Sequence, residues 1–345
     1  MTVRIAILGS GFVADMYMQG LREVPGQQVV VNVSHTPDRA RAFADRWGIA
    51  DHTTDMAAAV GRPDVDLVLI ALPNDLHLEA TRIVAQAKKH VVCTKPLART
   101  GAEAREMLRL VEDAGVLHGY AETEVFSPAV MRIRQLIDAG GIGRIFTMRS
   151  REAHSGPHAP HFWDPARSGG GALMDMGCHM IEAFRYFLGK DDALVECIAW
   201  GGLLVHGDKT TAEDNAVAMM KFASGALGVA EVSWAALGGM DLRNEVYGDR
   251  GAGFTDVTRG TPVRAFTLGA AGYVMEKADA ETGWVFPVPD EARVYGYHEE
   301  MRHFVECVAR GQRPRETFAD GRVVNSAIDA CYRSMTSKRW EPVAD

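Results

Sequence analysis

The first third of the chain alternates short apolar runs with stretches of helical periodicity. The clearest run, Val65–Leu72, is almost continuously apolar, which is typical of a strand covered on both faces in a parallel sheet. Strands that alternate with helices in this way predict a parallel, doubly wound α/β sheet. The predicted strands are Val3–Leu8, Gln28–Val33, Val65–Leu72, Val91–Cys93 and Val116–Tyr120, and the predicted helices after the first are Asp38–Trp47, Leu78–Lys89 and Ala102–Ala114.

Farther along, the pattern changes to longer strands that follow one another through hairpin-type turns such as Ser224-Gly225. These strands predict a large, mostly antiparallel sheet with helices on one side, an α+β arrangement. We therefore expect two domains, 1–122 and 123–345. The predicted strands are Arg144–Glu152, Leu194–Val205, Asn215–Phe222, Ala226–Trp234 and Leu242–Tyr247, and the predicted helices are Pro128–Ala139, Ala172–Leu188, Tyr297–Arg310 and Asp320–Ser337.

Composition narrows the functional classes. The 345 residues leave room for two domains, and the formal net charge of −8 argues against nucleic acid or an anionic membrane as partner. No apolar run reaches the ~20 residues that span a bilayer, and the N-terminus has no secretory pattern. The five cysteines are scattered, with no C-x-x-C pair, which fits reduced thiols. We expect a cytoplasmic protein.

The turn after the first strand is the strongest candidate binding site. Gly9, Ser10, Gly11, Phe12 and Val13 lead from the strand into a helix. Glycines in such a turn allow a sharp bend and close approach of the backbone to a pyrophosphate, and the helix N-terminus attracts the phosphates. We predict a dinucleotide site here. A purely structural turn in an unrelated α/β protein is the alternative.

The end of the second strand bears on the choice of nicotinamide cofactor. Units that bind NAD carry an acidic residue there for the ribose hydroxyls, but the position about 25 residues after Gly9 is Ser34. His35 and Arg39 follow, and a guanidinium can bind a 2′-phosphate. We predict NAD(P), with NADP favoured over NAD. Alternatively, Arg39 simply faces solvent.

The loop Glu152–Trp163 is unusually rich in imidazoles: it contains His154, His158 and His161. A metal site is one interpretation, because zinc takes histidine and carboxylate ligands. The prolines of the loop break helical phasing, so spacing does not bring the imidazoles together. We predict no metal and expect the loop to overhang a substrate pocket.

Several separated motifs, in order, are similar to the Gfo/Idh/MocA oxidoreductase family. They are the opening glycine turn, the Pro73-Asn74-x-x-His77 turn, the turn Thr94–Pro96, the segment Gly169–His179 and the closing pattern Phe304–Trp340. The resemblance implies a Rossmann domain and an open-faced antiparallel sheet domain. It also implies hydride transfer between a nicotinamide and a secondary hydroxyl or keto carbon of a sugar, sugar derivative or cyclitol, in a homodimer or homotetramer.

Asp175 and His179 are the candidate acid–base residues. They stand four residues apart on a predicted helix and therefore share one face. Histidine has an ordinary pKa near neutral pH, which suits a base for the hydroxyl proton. A helix-start aspartate with a buried structural histidine is the alternative. The resemblance implies catalytic roles for both residues and for Lys95, with all three contacting substrate.

The resemblance also implies further contacts. Thr94, an implied cofactor contact, stands where the family usually carries Glu; its hydroxyl can hydrogen-bond a ribose or carboxamide but brings no charge. Glu122 falls where such enzymes contact the nicotinamide end, although it could be a solvated carboxylate. The other implied cofactor contacts are Leu72, Pro73, Asn74, His77 and Lys95, and the other implied substrate contacts are His154, His158, Trp163 and Arg167.

Two rival functions remain open from the sequence. Some relatives keep a bound NAD and cleave glycosidic bonds through transient oxidation of the sugar, and the histidine-rich loop could serve that reaction. A non-enzymatic dinucleotide sensor is the third possibility, and the presence of both Lys95 and His179 ranks it lowest.

Overall fold

The structure is a computed structural model that describes residues 2–258, 260, 263–279 and 281–344. The chain divides into two compact units. Met1–Glu122 and Tyr297–Asn325 form the first, and Thr123–Gly296 and Ser326–Asp345 form the second. The division after residue 122 lies where the sequence places a domain boundary. The segment Tyr297–Asn325, which we expected in the second domain, instead groups with the first.

The first unit contains a six-stranded parallel sheet in the order β3-β2-β1-β4-β5-β6, which confirms the predicted doubly wound arrangement. The strand β3 was not predicted because its three residues are polar and at least partly exposed. The strands are β1 (Val3–Leu8), β2 (Gln27–Val33), β3 (Asp51–Thr53), β4 (Leu67–Ile70), β5 (His90–Thr94) and β6 (His118–Ala121).

Helices of this unit begin and end at residues suited to those positions. Thr100 caps the helix α5 (Gly101–Ala114) by accepting a hydrogen bond from the Glu103 N–H, and Gly115 ends that helix at φ 65°. The other helices of the first unit are α1 (Phe12–Leu21), α2 (Pro37–Trp47), α3 (Met56–Val60), α4 (His77–Gln86), α10 (Tyr297–Arg310) and the first residues of α11 (Phe318–Ser337).

Helix α10 packs against α1, which explains its place in the first unit. The ring of Tyr297 meets the ring of Tyr17 edge-on, with centroids 5.9 Å apart. Gly20 lies so close that a Cβ there would be 2.5 Å from the Tyr297 carbonyl oxygen. The apolar pattern of α10 was predicted correctly, but a packing partner so distant in sequence leaves no signal in that pattern.

The second unit contains a seven-stranded sheet in the order β12-β11-β7-β10-β9-β8-β15. Its pairs are antiparallel except β7 with β10, which confirms the predicted, mostly antiparallel sheet. A small hairpin of β13 and β14 stands apart from it. The strands are β7 (Ile145–Ala153), β8 (Leu194–Gly202), β9 (Asn215–Phe222), β10 (Leu227–Ser233), β11 (Asp241–Gly248), β12 (Gly251–Asp256), β13 (Ala265–Thr267), β14 (Gly283–Val285) and β15 (Glu341–Pro342).

The prediction that a strand continues to Val205 is wrong, because β8 ends at Gly202. The buried carboxylate of Asp214 accepts hydrogen bonds from the N–H groups of Val205 and His206. These bonds replace ladder bonds and fold the segment into a loop. Burial alone would raise the pKa of Asp214, but the hydrogen bonds outweigh it and the pKa lies below its usual value.

One face of the large sheet is covered by the helix α8 (Ala172–Leu188), whose bounds match the prediction. Gly228 on β10 allows close contact, because a Cβ at that position would lie 2.5 Å from the ring of Phe184. The remaining helices of this unit are α6 (Pro128–Asp138), α7 (Pro165–Ser168), α9 (Glu291–Tyr295) and the last part of α11. Among the described residues, no helix combines the length and apolarity needed to cross a bilayer.

Candidate active site

The glycine turn between β1 and α1 has the features of a phosphate-binding turn. Gly9 has φ 122°, and a Cβ on it would lie 2.1 Å from the carbonyl oxygen of Ala71, so only glycine fits there. Gly11 caps α1 without a side-chain hydrogen bond, and a Cβ built on it meets no atom within 4 Å. Open space therefore lies beside the glycine that caps α1, and it leaves room for the pyrophosphate of a dinucleotide to approach the start of the helix.

Asn32, which the sequence analysis did not single out, supports this turn. Its side chain is fully buried, and its amide donates hydrogen bonds to the carbonyl oxygens of Gly9 (2.7 Å) and Ile7 (3.3 Å). A polar residue inside the otherwise apolar end of β2 was the available signal. Because a buried amide needs partners, Asn32 holds the strand end and the turn in one geometry.

Ser34, where an acidic residue would mark an NAD site, is buried, and its hydroxyl lies 2.7 Å from that of Ser10. His35 and Arg39 are exposed beside it. Arg39 lies in the first turn of α2, where its main-chain N–H donates to the Thr36 hydroxyl at 3.4 Å. This part of the chain therefore carries two hydroxyls, one imidazole and one guanidinium.

The turn that carries Lys95 follows β5 and is held from two sides. His77 is fully buried, with Nδ1 3.1 Å from the carbonyl oxygens of Pro96 and Leu97. On the other side, the Asn325 amide donates to the Ala98 carbonyl (2.6 Å) and accepts from the Ala98 N–H (3.2 Å). These bonds fix the main chain immediately after the half-buried Lys95.

His77 was expected to line the cofactor, and its ring is fully engaged with the main chain. Nε2 lies 2.9 Å from the carbonyl oxygen of Leu72, so both ring nitrogens face carbonyl groups. Burial lowers the pKa of His77, and the hydrogen bonds oppose that shift only in part. A neutral ring in this position braces the turn, and the cofactor contact stays a prediction.

The remaining predicted cofactor residues of the first unit surround the ends of its strands. Asn74, Thr94 and Glu122 are buried, and Leu72 and Pro73 are partly exposed after β4. The Tyr120 hydroxyl donates to the Glu122 carboxylate at 3.5 Å. Carboxyl ends of parallel strands are where α/β sheets bind ligands, and the cofactor contacts of these residues stay a prediction.

Helix α8 carries the candidate acid–base pair in the second unit. Asp175 and His179 lie one turn apart, and their exposed fractions are only 6% and 8%. The indole Nε1–H of the buried Trp234 donates to Asp175 Oδ2 at 3.1 Å. This bond orients the carboxylate. The spacing of the two residues was readable from the sequence, whereas Trp234, on a distant strand end, was not.

An aromatic cluster adjoins Asp175 through Trp234. The Trp163 ring meets that of Trp234 edge-on, with centroids 5.2 Å apart, and meets that of His206 at 5.0 Å. The ammonium of Lys209 lies 5.0 Å from the Trp163 ring centre, a cation–π contact. These contacts fix the ring of Trp163, which is partly exposed. Its contact with the sugar ring stays a prediction. His206 and Lys209 were not anticipated.

The imidazoles of the loop Glu152–Trp163 have separate partners within the described part of the chain. His154 Nδ1 accepts a hydrogen bond from the Gly156 N–H (3.0 Å), and His158 Nε2 lies 3.6 Å from Glu276. His161 instead packs against the ring of Phe162. Partial burial and the charge of Lys277 lower the pKa of His158. The described geometry does not assemble these rings as one ligand set. Arg167, in the following turn, is exposed.

Taken separately, the two units supply complementary chemistry. The first offers a helix N-terminus for phosphates and an ammonium at the carboxyl edge of a parallel sheet. The second offers an imidazole and an oriented carboxylate on one helix face, the groups that general acid–base catalysis uses. Oxidation of an alcohol requires both kinds of group.

Comparison with known proteins agrees with this chemistry. Residues 3–121 match the model of an oxidoreductase family with an NAD-binding Rossmann fold. Residues 130–253 match the model of the GFO/IDH/MocA C-terminal domain.

The chain is also similar, over nearly its whole length, to characterised dehydrogenases. It is 28% identical to levoglucosan dehydrogenase from Pseudarthrobacter phenanthrenivorans, over 99% of this chain and 98% of the relative. It is 28% identical to myo-inositol 2-dehydrogenase from Thermotoga maritima, over 98% and 97%. The structure of GenD2 from gentamicin A biosynthesis, in complex with NAD, superposes with a TM-score of 0.93 at 29% identity, over 100% of this chain and 97% of that one. The chain belongs to the Gfo/Idh/MocA family of NAD-binding oxidoreductases.

Proposed function

We propose that the protein is an NAD(P)-dependent dehydrogenase or reductase acting on a secondary hydroxyl or keto carbon of a sugar, sugar derivative or cyclitol. The observation that carries the proposal is the pair Asp175 and His179 on α8, with Trp234 bound to Asp175. The glycine turn before α1, with room beside Gly11, supports the cofactor site, and the sugar and cyclitol dehydrogenases among the relatives support the substrate class.

The chain's own residues would handle the proton and the oxygen. His179 takes the hydroxyl proton in the oxidative direction and returns it in the reductive direction. Lys95 stabilises the negative charge that develops on the substrate oxygen, and Asp175 orients the substrate or the imidazole. Bound nicotinamide would supply the hydride acceptor or donor. Trp163 and the histidine-rich loop would contact the sugar ring, and Glu122 the nicotinamide end.

The test is a panel of sugars, sugar derivatives and cyclitols offered with NAD or NADP while nicotinamide absorbance is recorded. We expect reduction of the nicotinamide with at least one member of the panel. Cleavage of a glycoside without net absorbance change would instead establish the glycoside-cleaving alternative, which the relatives do not favour. Cofactor binding without any turnover across the panel would contradict the enzymatic proposal.

We further propose a preference for NADP over NAD. Counting from Gly9, Ser34 stands in sequence where NAD-binding units carry the ribose-binding carboxylate, and Arg39, five residues later, is exposed. The next carboxylate, Asp38, forms an ion pair with Arg41 at 2.8 Å. A guanidinium free of an adjacent carboxylate suits a 2′-phosphate.

Replacing Ser34 by Asp is expected to shift the preference toward NAD, because the new carboxylate would repel the 2′-phosphate and accept the ribose hydroxyls. Fluorescence titration with NADH and NADPH should show NADPH affinity falling at least ~10-fold, a change of ~1.4 kcal/mol. Ser155→Asp, in the loop of the second unit, is the matched control and should leave both affinities unchanged. Tighter binding of NADH than NADPH by the unmodified protein would contradict the proposed preference.

A homodimer or homotetramer remains our expectation. The face of the large sheet turned away from α8 is apolar over neighbouring strands, with Trp200 beside Val217 and Met219 beside Val229. Half of the Trp200 surface is exposed. Such a patch on a sheet is typical of an interface between subunits.

The five cysteines are buried thiols, which supports the expected cytoplasmic location.

A further inference from the structure

We propose that Glu213 and Tyr332 are positioning residues that hold the start of the acid–base helix α8 in its working place. This inference rests on the proposed function, because it assigns the two residues a role through Asp175 and His179. Glu213 directly precedes β9, and Tyr332 lies in α11. Neither was singled out by the sequence motifs.

The two residues bind three consecutive N–H groups at the start of α8. The Gly171 N–H donates to the Tyr332 hydroxyl oxygen at 3.2 Å. The Ala172 N–H donates to the main-chain carbonyl of Glu213 at 2.9 Å, and the Leu173 N–H donates to its carboxylate at 3.0 Å. The first N–H groups of a helix have no partner inside the helix. Here, two side chains and one main-chain carbonyl from two distant segments supply the partners.

Glu213 and Tyr332 also bind each other, which makes them one unit. The Tyr332 hydroxyl donates to Glu213 Oε1 at 3.0 Å, so this oxygen accepts from both Tyr332 and Leu173. Burial and the neighbouring Glu213 charge raise the pKa of Tyr332 well above its usual value, which keeps the phenol protonated as a donor. Burial raises the pKa of Glu213, while its hydrogen bonds oppose the shift.

The glycine run before α8 is explained by this contact. A Cβ at Gly170 would lie 1.9 Å from the Tyr332 hydroxyl oxygen, and a Cβ at Gly171 would lie 2.0 Å from the Glu213 carbonyl oxygen. Neither position has room for a side chain. The glycines therefore let the helix start approach Glu213 and Tyr332 closely enough for hydrogen bonds.

The contact acts on the catalytic groups through the first turn of the helix. The Asp175 N–H donates to the Gly171 carbonyl at 3.1 Å, so the residue bound by Tyr332 is also the first hydrogen-bond acceptor of α8. His179 follows Asp175 by one turn. A displacement of ~1 Å at a catalytic group can cost about 10²-fold in rate. A loosened helix start would therefore reduce the rate of the chemical step more than substrate binding.

The test compares Tyr332→Phe, Glu213→Gln and Glu213→Ala with the unmodified enzyme. We expect Tyr332→Phe and Glu213→Ala to lower kcat by about 10-fold or more with KM and cofactor affinity nearly unchanged. The kinetic isotope effect with substrate deuterated at the reacting carbon should rise, because hydride transfer becomes slower relative to the other steps. Glu213→Gln keeps an acceptor for the Leu173 N–H and should restore most of the rate lost in Glu213→Ala.

Asp290→Ala is the matched control, because Asp290 caps α9 in the same unit through the Arg293 N–H at 3.0 Å. It should lower the melting temperature without changing kcat or the isotope effect. An unchanged kcat in Tyr332→Phe, which keeps the phenyl ring and its packing, would overturn the inference even if Glu213→Ala fails to fold. Absence of turnover in the unmodified protein would count against the proposed function instead. The cofactor affinity and melting temperature of each variant would still show whether the loss of these contacts alters the cofactor site or the stability of the fold.

Discussion

Replacing His179 by Ala is expected to lower kcat by about 10²–10⁴-fold, the usual contribution of a positioned general base. Steady-state kinetics with the best substrate of the panel would measure it. The imidazole is 8% exposed on α8, one turn from Asp175, and no other residue of that helix face is a histidine. Cofactor affinity should change little, because the proposed dinucleotide site, the glycine turn at the start of α1, does not include this side chain.

The control for this prediction is His90→Ala. His90 begins β5 and therefore lies at the amino ends of the parallel strands, away from their carboxyl ends. Its Nδ1 accepts a hydrogen bond from the Leu117 N–H at 3.0 Å. Its loss should reduce stability by ~1–3 kcal/mol, the cost of an unsatisfied buried donor, while kcat is retained. If His179→Ala kept the rate of the unmodified enzyme, the assignment of the base would be wrong.

Replacing Lys95 by Met should lower kcat/KM by about 10²–10³-fold, comparable to loss of one donor to a developing oxyanion. Methionine keeps the length and apolar stem of the side chain, so the effect reports the ammonium. The turn should keep its shape, because His77 and Asn325 bind its main chain rather than the lysine. The measurement is kcat/KM at saturating cofactor.

A double variant, Lys95→Met with His179→Ala, examines whether both groups act on one oxygen. Residues that act in one step give strongly non-additive losses, so the double variant should be little worse than His179→Ala alone. Lys88→Met, an exposed lysine of the same unit, is the control and should retain full activity. Strictly additive losses would mean that the two groups serve separate steps.

The fold was largely predictable because the residues that begin, end and pattern most of its elements lie within or next to those elements in the sequence. Thr100 and Gly115 bracket α5 in sequence as they do in space, and the apolar run of β4 has no other reasonable interpretation. The end of β8 was mispredicted because the competing partner, Asp214, lies eight to ten residues away from the residues whose N–H groups donate to it. Hairpin β13–β14 and the short α9 carry too few periodic residues to be recognised.

The candidate site was also predictable only in part: its proposed reacting residues could be found from the sequence, and the residues that support them could not. Asp175 and His179 could be paired from their spacing alone, because helical geometry converts four residues into one turn. Their supports could not be predicted: Trp234 reaches Asp175 across 59 residues, and Tyr332 reaches Gly171 across 161. Long-range hydrogen bonds leave no periodic trace in a sequence. The residues that hold a site in place are therefore harder to find than those that perform its chemistry.

The contact between Gly228 and Phe184 has a practical consequence for altering this enzyme. The ring of Phe184 lies directly against the backbone of β10, so a methyl group added at Gly228 would be 2.5 Å from the ring and would force it to move. Changes that aim at a new substrate should therefore leave Gly228 and Phe184 unaltered. Insertions and substitutions in the loop Glu152–Trp163 would alter the proposed substrate pocket without disturbing the contact between Gly228 and Phe184.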